Sequence, residues 1–243
     1  REIIDHLEGE LKKRGHNLPV YFGNRNWHPF ASETAEKMSQ DGVRKVAVFA
    51  TSAWGGYSAC RQYDEDIQQM REHLAEQGLP DIEFTKIRQF FDHPKFVVEM
   101  AAAVTEVWGQ VPEEKKESTR MLFTAHSVPV AHDNVGGVEG DKNLYSRQVA
   151  EASRLVASQA GISDYDLVWQ SRSGNPRTPW LEPDIVDHTT DIHHNEGIDT
   201  VVVCPIGFIS DHMEVIWDLD SELQKAADEM GVKVLRTRTA GPT

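Results

Sequence analysis

Short apolar runs alternate with amphipathic stretches along the whole 243-residue chain, and this alternation limits the fold more than any other feature. Strands are predicted at 19–23, 45–51, 82–87, 121–125, 166–170, 200–205 and 233–236. Helices are predicted at 32–40, 60–77, 94–108, 144–160, 183–195 and 212–230, and an opening helical pattern stops at Gly15. Strands and helices in this order build parallel sheets with helices on both faces. The sequence therefore predicts an α/β fold with two similar units that meet near residues 91–94.

The amino-acid composition excludes some classes of binding partner and indicates the cellular setting. Residues 1–243 carry a net charge of −14, which argues against nucleic acid because its phosphates require a basic surface. No apolar run approaches the roughly 20 residues of a membrane span. Only Cys60 and Cys204 are present, too few for a disulfide framework, so we expect a reducing, cytoplasmic setting. The chain opens inside a helical pattern and closes after a strand, and both ends look cut.

Three carboxylates follow the apolar run 201–204 on a predicted helix. Glu214, Asp218 and Glu222 are spaced four residues apart, where like charges repel by about a few tenths of a kcal/mol per pair. A divalent cation handed along the row would offset that repulsion, and a π-type widening of the helix would bring the row closer to one line. The alternative is an ordinary solvated acidic face, favoured near a helix start by the helix dipole.

A histidine stands where another predicted strand ends. His126 follows the apolar run 121–125, and Pro129 stops the strand soon afterwards. The carboxyl ends of parallel strands meet at one edge of a sheet, which is where ligands bind in open α/β folds. Imidazole at this edge can accept a proton or ligate Fe²⁺. The alternative is a structural histidine.

Two further loops carry aromatic and basic residues. Trp180 follows a polar glycine loop and precedes Pro183, so its indole can line a flat aromatic ligand, or it can simply close the loop onto the core. Arg25 follows the first predicted strand and can attract ligand carboxylates, although a turn or capping role fits equally well. The segment 51–57 contains Gly55 and Gly56 but no nucleotide-binding motif.

These segments together resemble the ferrochelatase family of class II chelatases, over essentially the whole chain. The matching motifs are HSVP at His126, WQSRSG and PWLEPD on either side of residue 175, and PIGFISDHMEVIWDLD from Pro205. The segments NLYSRQV and YSACRQY resemble the actinobacterial branch, whose members act on coproporphyrin III rather than protoporphyrin IX.

The resemblance implies two Rossmann-like, chelatase-type domains around a porphyrin cleft, each a parallel sheet flanked by helices. Residues 1–91 would form the N-terminal domain, incomplete at its start; 92–236 would form the C-terminal domain; and 237–243 would begin a return to the first. Relative to the family, an N-terminal segment with the first strand and the cleft lip is missing, as is a C-terminal helix.

The resemblance also assigns roles by motif position. His126 and Glu214 match the catalytic pair near the porphyrin centre, and with Asp218 and Glu222 they match the metal-binding residues. Trp180 matches a pocket wall of the family, and Ser52 stands where many relatives have His or Gln, which removes one possible metal ligand. Together with Arg25, whose assignment comes from its position alone, these are the expected substrate-binding residues. Cys60 matches one ligand of a [2Fe-2S] cluster that several relatives complete with three cysteines in a C-terminal tail.

The expected function is insertion of ferrous iron into a porphyrin, coproporphyrin III before protoporphyrin IX, with release of two protons in haem biosynthesis. Porphyrin and Fe²⁺ are the expected partners, and we expect a cytoplasmic monomer. One alternative is a non-catalytic carrier of haem or another tetrapyrrole, for which the carboxylate row would be unnecessary. Another is a chelatase for a different metal or a more reduced tetrapyrrole.

Overall fold

A computed structural model describes residues 2–56, 61–137, 141–175 and 177–241, and these form two compact units with separate parallel sheets. The first unit contains residues 2–51 and 61–89, and the second contains 52–56 and 90–241. The predicted α/β class is confirmed. The predicted domains differ in detail, because they assign 52–56 to the first domain and 237–241 to a return segment.

The first unit has three helices and a two-stranded sheet. Its elements are α1 (Glu2–Lys13), α2 (Ala31–Gln40), β1 (Lys45–Val48), α3 (Gln62–Glu76) and β2 (Glu83–Lys86). Its core consists of Ala35, Met38, Met70, Leu74 and Ile82. β1 and β2 pair in parallel, and α1 buries none of its side chains.

The strand predicted at 19–23 is wrong. These residues lie in neither a strand nor a helix, no described strand pairs with them, and Phe22 is 50% exposed. The carbonyl of Phe22 accepts a hydrogen bond from the Thr34 hydroxyl (2.9 Å), so this backbone group is satisfied by α2 rather than by a neighbouring strand. An apolar run predicts an extended chain but not the partner that a strand requires.

The second unit contains a four-stranded parallel sheet in the order β4-β3-β5-β6. Its elements are α4 (Pro94–Trp108), β3 (Thr119–His126), α5 (Val130–Asp133), α6 (Leu144–Ala160), β4 (Tyr165–Gln170), α7 (Ile185–Glu196), β5 (Thr200–Cys204), α8 (Met213–Trp217), a π-helical segment (Asp218–Leu223), α9 (Gln224–Met230) and β6 (Lys233–Arg236). A 3₁₀ helix covers Glu113–Ser118, directly before β3. All five residues of β5 are buried, as expected for a central parallel strand.

The helical stretch after β5 packs on the sheet through one line of side chains. Val215, Leu219, Leu223 and Ala227 are spaced four residues apart and are buried with residues of α7, β3 and β5. This burial fixes which face of the stretch points to the core. Among the residues that the structure describes, no helix is both long and apolar enough to cross a membrane.

Candidate functional site

The parallel pairing of β3 with β5 brings the two predicted catalytic residues together. Phe123 of β3 lies opposite Cys204 of β5, so both strands end at the same edge of the sheet. His126 is the last residue of β3, and Glu214 lies in the first turn of α8 after the loop that follows β5. The Nε2 atom of His126 is 3.9 Å from Oε1 of Glu214, and the two side chains are 36% and 59% exposed. An imidazole and a carboxylate therefore share one solvent-accessible position.

The backbone sets the tautomer of His126. Its Nδ1 atom lies 2.5 Å from the carbonyl oxygen of Ser127, which can only accept a hydrogen bond, so Nδ1 carries the proton. In the neutral ring, Nε2 then presents a lone pair to Glu214 and to solvent. The hydroxyl of Tyr145 donates to the carbonyl of His126 (2.9 Å). Burial raises the pKa of Tyr145, which keeps this donor protonated.

Gly207 allows the loop after β5 to approach β3 closely. A Cβ atom on Gly207 would lie 2.5 Å from Cβ and 2.6 Å from Cα of Ala125, the residue before His126. The Gly207 N–H donates to the carbonyl of Thr124 (3.1 Å), and its carbonyl accepts from the Trp54 indole (2.7 Å). The distance between the two strand ends thus depends on the absence of a side chain at residue 207.

Asp218, the second carboxylate of the row, is held by the end of β4. Its Oδ2 atom accepts hydrogen bonds from Nε2 of Gln170 (3.1 Å) and from the hydroxyl of Ser171. Gln170 is itself fixed by the Thr124 hydroxyl (3.1 Å), and Ser171 adopts a left-handed backbone with φ of 63°. Both donors bind Oδ2, so neither of them occupies Oδ1 of the same carboxylate.

The predicted π widening of the acidic helix is present. Asp218 opens the π segment, and Glu222 is an exposed residue of the same segment. Glu214, Asp218 and Glu222 each precede a buried residue of the four-residue line by one position, so the carboxylates follow the border of the buried face. No three His, Cys, Asp or Glu side chains of the described residues converge as a ready metal site.

His212 is a further candidate functional residue, which was not among the site residues predicted from the sequence. Its Nδ1 atom is 4.0 Å from Oε2 of Glu214, so this carboxylate lies between two imidazoles. Its ring also contacts Phe208 edge to face, with centroids 5.1 Å apart. The sequence signal was available, because a histidine and a glutamate two residues apart flank the helix start.

The three predicted substrate-binding residues occupy different settings. Trp180 is half-buried beside Pro129, and its buried indole N–H has no hydrogen-bond partner among the described residues. The Ser52 hydroxyl accepts a long hydrogen bond (3.4 Å) from the Trp54 N–H within its turn. Arg25, in the first unit, binds both oxygens of Asp66 (2.6–3.1 Å) and Oε1 of Gln62 (2.8 Å).

The two cysteines do not assemble a cluster site in the described residues. Cys60 lies outside those residues. Cys204 is fully buried in β5, and burial raises the pKa of its thiol to about 12. A buried, protonated thiol is a poor metal ligand. The described residues therefore supply no cysteine ligand for a [2Fe-2S] cluster, and the predicted cluster through Cys60 stays a prediction.

The fold of the chain is that of the chelatases. It is similar to SirB from Bacillus subtilis with Fe³⁺, with a TM-score of 0.63 over 99% of this chain and 82% of that one. It is also similar to the sirohydrochlorin chelatase SirB from Bacillus subtilis subspecies spizizenii in complex with cobalt, with a TM-score of 0.59 over 99% and 81%. Sequence identity is 14% in both cases, so this likeness concerns the fold alone.

Within that class the chain belongs to the ferrochelatase family, whose model matches residues 1–242. Its relatives include proteins named coproporphyrin III ferrochelatase from Corynebacterium glutamicum strain ATCC 13032 (58% identity over 243 residues) and Corynebacterium diphtheriae (56% over 250). A protein of the same name from Nocardia farcinica is 53% identical over 242 residues. All of this chain is matched in the two corynebacterial proteins and 99% in the third, covering 65%, 67% and 68% of those proteins. The chain spans just under two thirds of the length of the Corynebacterium glutamicum relatives.

Proposed function

We propose that the protein inserts ferrous iron into coproporphyrin III as a late step of haem biosynthesis. The observation that carries the proposal is the 3.9 Å approach of His126 to Glu214 at the carboxyl edge of the second unit's sheet. The family assignment and the names of the relatives support the choice of metal and porphyrin. The net reaction replaces two porphyrin N–H protons with Fe²⁺ and releases both protons.

His126 and Glu214 accept the protons that leave the porphyrin and transfer them to solvent. Nε2 of His126 is the unprotonated nitrogen of the neutral ring, so it can accept a proton from a pyrrole nitrogen. Glu214 stabilises the imidazolium that forms and relays the proton to solvent. The separation of 3.9 Å exceeds a hydrogen bond, so transfer needs a bridging water or a small side-chain shift. Glu214 is exposed enough to allow either.

The carboxylate row delivers the iron. Glu214, Asp218 and Glu222 offer oxygen ligands, which bind Fe²⁺ more weakly than nitrogen ligands of the porphyrin do. Stepwise exchange of water for carboxylate oxygen brings the ion to the sheet edge. Asp218 keeps a fixed orientation during this exchange because Gln170 and Ser171 hold one of its oxygens.

Trp180, Ser52 and Arg25 complete the proposal as substrate-binding residues. The half-buried indole of Trp180 can stack on the flat macrocycle, and its unpartnered N–H can donate to a polar group. Arg25 would meet a porphyrin carboxylate only by exchanging Asp66 for it. Of these three residues, Arg25 would therefore require the most free energy to release its side chain for the porphyrin.

An anaerobic assay with purified full-length protein tests the proposal. Fe²⁺ is added with either coproporphyrin III or protoporphyrin IX, and the absorbance of the metalloporphyrin is followed. We expect catalytic turnover with coproporphyrin III and a kcat/KM at least about tenfold lower with protoporphyrin IX. Porphyrin binding without insertion would identify a carrier, and insertion of Co²⁺ but not Fe²⁺ would identify a different chelatase; either result contradicts the proposal.

The same proposal places the protein in the cytoplasm as a monomer. A [2Fe-2S] cluster through Cys60 enters only if the full-length protein supplies three further cysteines, because residues 1–243 contain two cysteines in all. Sedimentation of the full-length protein measures its mass in solution. Measurement of its iron and acid-labile sulfide content shows whether it binds a [2Fe-2S] cluster.

A further inference from the structure

One guanidinium connects the two ends of the segment that carries the catalytic carboxylates. Arg236 donates from Nε and Nη2 to the two oxygens of Asp220 (2.7 and 3.1 Å). It also donates from Nη1 and Nη2 to the two oxygens of Asp211 (3.0 and 3.2 Å). Asp211 precedes α8, and Asp220 lies in the π segment. Both contacts are bidentate, the geometry that a planar guanidinium allows and an ammonium does not.

Arg236 and its two partners, Asp211 and Asp220, form a clamp that is anchored in the sheet. Arg236 ends β6 and lies opposite Val203 of β5, so its backbone is fixed by strand pairing. Its side chain is 20% exposed, which limits screening by water. Asp211 is three residues before Glu214, and Asp220 is two residues after Asp218. The two contacts therefore bracket Glu214 and Asp218, the first two carboxylates of the row.

The bracketed segment cannot hold its own position electrostatically. Residues 211–222 contain no Lys or Arg and five carboxylates, at Asp211, Glu214, Asp218, Asp220 and Glu222. α8 opens this stretch, and the carboxylates of its first turn and of the π segment repel one another. Its placement must come from contacts with the rest of the unit. Val215 and Leu219 supply buried contacts, and Gln170, Ser171 and Arg236 supply polar ones.

We infer that Arg236 is a positioning residue for metal insertion: by clamping Asp211 and Asp220 it holds Glu214 beside His126 and fixes the register of the carboxylate row. The guanidinium of Arg236 is occupied by Asp211 and Asp220, so the assigned role acts through these two carboxylates and not through contact with metal or porphyrin. This inference rests on the proposed function, because it gives Glu214 and Asp218 their roles. It also explains why two acidic residues next to the row, Asp211 and Asp220, are excluded from it: their oxygens are occupied by the guanidinium.

Charge and position make opposite predictions for variants of Arg236. Removing a positive charge beside the row raises its affinity for cations, so charge alone predicts that Arg236→Gln lowers the KM for Fe²⁺. Misplacement of the carboxylate row predicts the opposite, a higher KM for Fe²⁺ in Arg236→Gln. Arg236→Lys keeps the positive charge but cannot bind Asp211 and Asp220 through two bidentate contacts. A change in the kinetics of that variant therefore results from loss of position and not from loss of charge. A misplacement of about 1 Å at a reacting group can cost on the order of 10²-fold in rate.

The experiment compares full-length wild type with Arg236→Lys, Arg236→Gln and the milder Asp211→Asn, which keeps the Asp220 half of the clamp. Arg238→Gln is the matched control, because Arg238 lies two residues further on and binds Glu99 (2.6 Å) on α4. We measure kcat and the KM for Fe²⁺, the Kd for coproporphyrin III by fluorescence quenching, and amide hydrogen exchange over residues 211–223.

We expect Arg236→Lys and Arg236→Gln to lower kcat/KM for Fe²⁺ by about 10- to 100-fold, with a smaller loss in Asp211→Asn. The porphyrin Kd should stay within about twofold, which shows that the fold is intact, and amides of residues 211–223 should exchange faster. Arg238→Gln should match wild type in all three measurements. Wild-type kinetics in Arg236→Lys, or a lower KM for Fe²⁺ in Arg236→Gln, would overturn the inference.

Hydrogen exchange also separates this inference from the proposed function. If the wild-type protein binds porphyrin but inserts no iron, the proposed function fails. The amide hydrogen-exchange rates of residues 211–223 still test whether Arg236 holds the segment. Unchanged protection in Arg236→Lys would show that it does not. Faster exchange in the Arg236 variants alone would support the clamp without the chemistry.

Discussion

His126 is the residue whose environment constrains its chemistry most. Its proton is fixed on Nδ1 by the Ser127 carbonyl, and its backbone is fixed by Tyr145. We expect His126→Ala to lower the rate of metal insertion by about 10²- to 10⁴-fold, the usual contribution of a general base. The Kd for coproporphyrin III should stay within about twofold, because the imidazole supplies little of the binding surface. Single-turnover insertion and fluorescence quenching measure the two quantities.

The control for this variant is His194→Ala. His194 is an exposed histidine in the last turn of α7, so the substitution removes the same group from a surface position. Its insertion rate should equal that of wild type. Wild-type turnover in His126→Ala would remove the assignment of His126 as proton acceptor.

The sequence could place some residues of the site but not their partners. His126 and Glu214 were predictable because one ends a buried strand and the other lies in the helix that follows one, and the ends of parallel strands meet at one edge. The contacts of Arg236 with Asp211, and of Gln170 with Asp218, join residues 25 and 48 positions apart. Such pairs depend on strand order and register, which hydrophobic patterns do not encode. Arg25 shows the same limit, since its pairing with Asp66 was not visible in the sequence.

At the scale of elements, the strands and helices that pack on a neighbour were predicted best. α4 and α6 occupy the predicted bounds, as does β6, because each has a clear apolar pattern and a capping or turn residue nearby. The strand prediction at 19–23 failed because its pattern does not reveal whether a strand lies beside it. The π segment could be anticipated because Val215, Leu219 and Leu223 repeat every four residues, a spacing that an α-helix does not keep on one line.

The contact of the loop after β5 with β3 gives an element-scale prediction. In Gly207→Ala the new methyl group would lie 2.5 Å from Cβ of Ala125, so the loop must move away from β3. We expect a loss of about 1–3 kcal/mol in the free energy of unfolding, typical of overpacking in a core. Iron insertion should fall as well, because His126 follows Ala125 and Glu214 follows the loop. Denaturant titration and the insertion assay measure both effects.

Gly9→Ala is the matched control for Gly207→Ala. A Cβ atom on Gly9 meets nothing within 4 Å, and Gly9 lies inside α1. Alanine is favoured over glycine in a helix by up to about 1 kcal/mol, so this variant should be equally stable or more stable. Equal stability of Gly207→Ala and wild type would show that the loop has room to relax.

At the scale of the whole molecule, charge affects the two substrates in opposite directions. Residues 1–243 carry 39 acidic and 25 basic side chains, a net charge of −14 with neutral histidines. A field of this sign attracts Fe²⁺ toward the protein and concentrates it at the surface. Coproporphyrin III is a tetracarboxylate and is repelled by the same field. For the proposed reaction, the charge of residues 1–243 therefore favours association of Fe²⁺ and disfavours association of coproporphyrin III.

This asymmetry predicts salt effects of opposite sign. Raising the ionic strength from about 0.01 M to about 0.15 M shortens the screening length from about 30 Å to about 8 Å. We expect kcat/KM for Fe²⁺ to fall and kcat/KM for coproporphyrin III to rise, each by roughly 3- to 10-fold, because screening removes attraction in one case and repulsion in the other. Initial rates with one substrate saturating and the other limiting measure the two constants separately. A fall in both constants would mean that local basic side chains, and not the net charge, control the approach of the porphyrin. A matched series with sucrose in place of salt controls for viscosity and should lower both constants together.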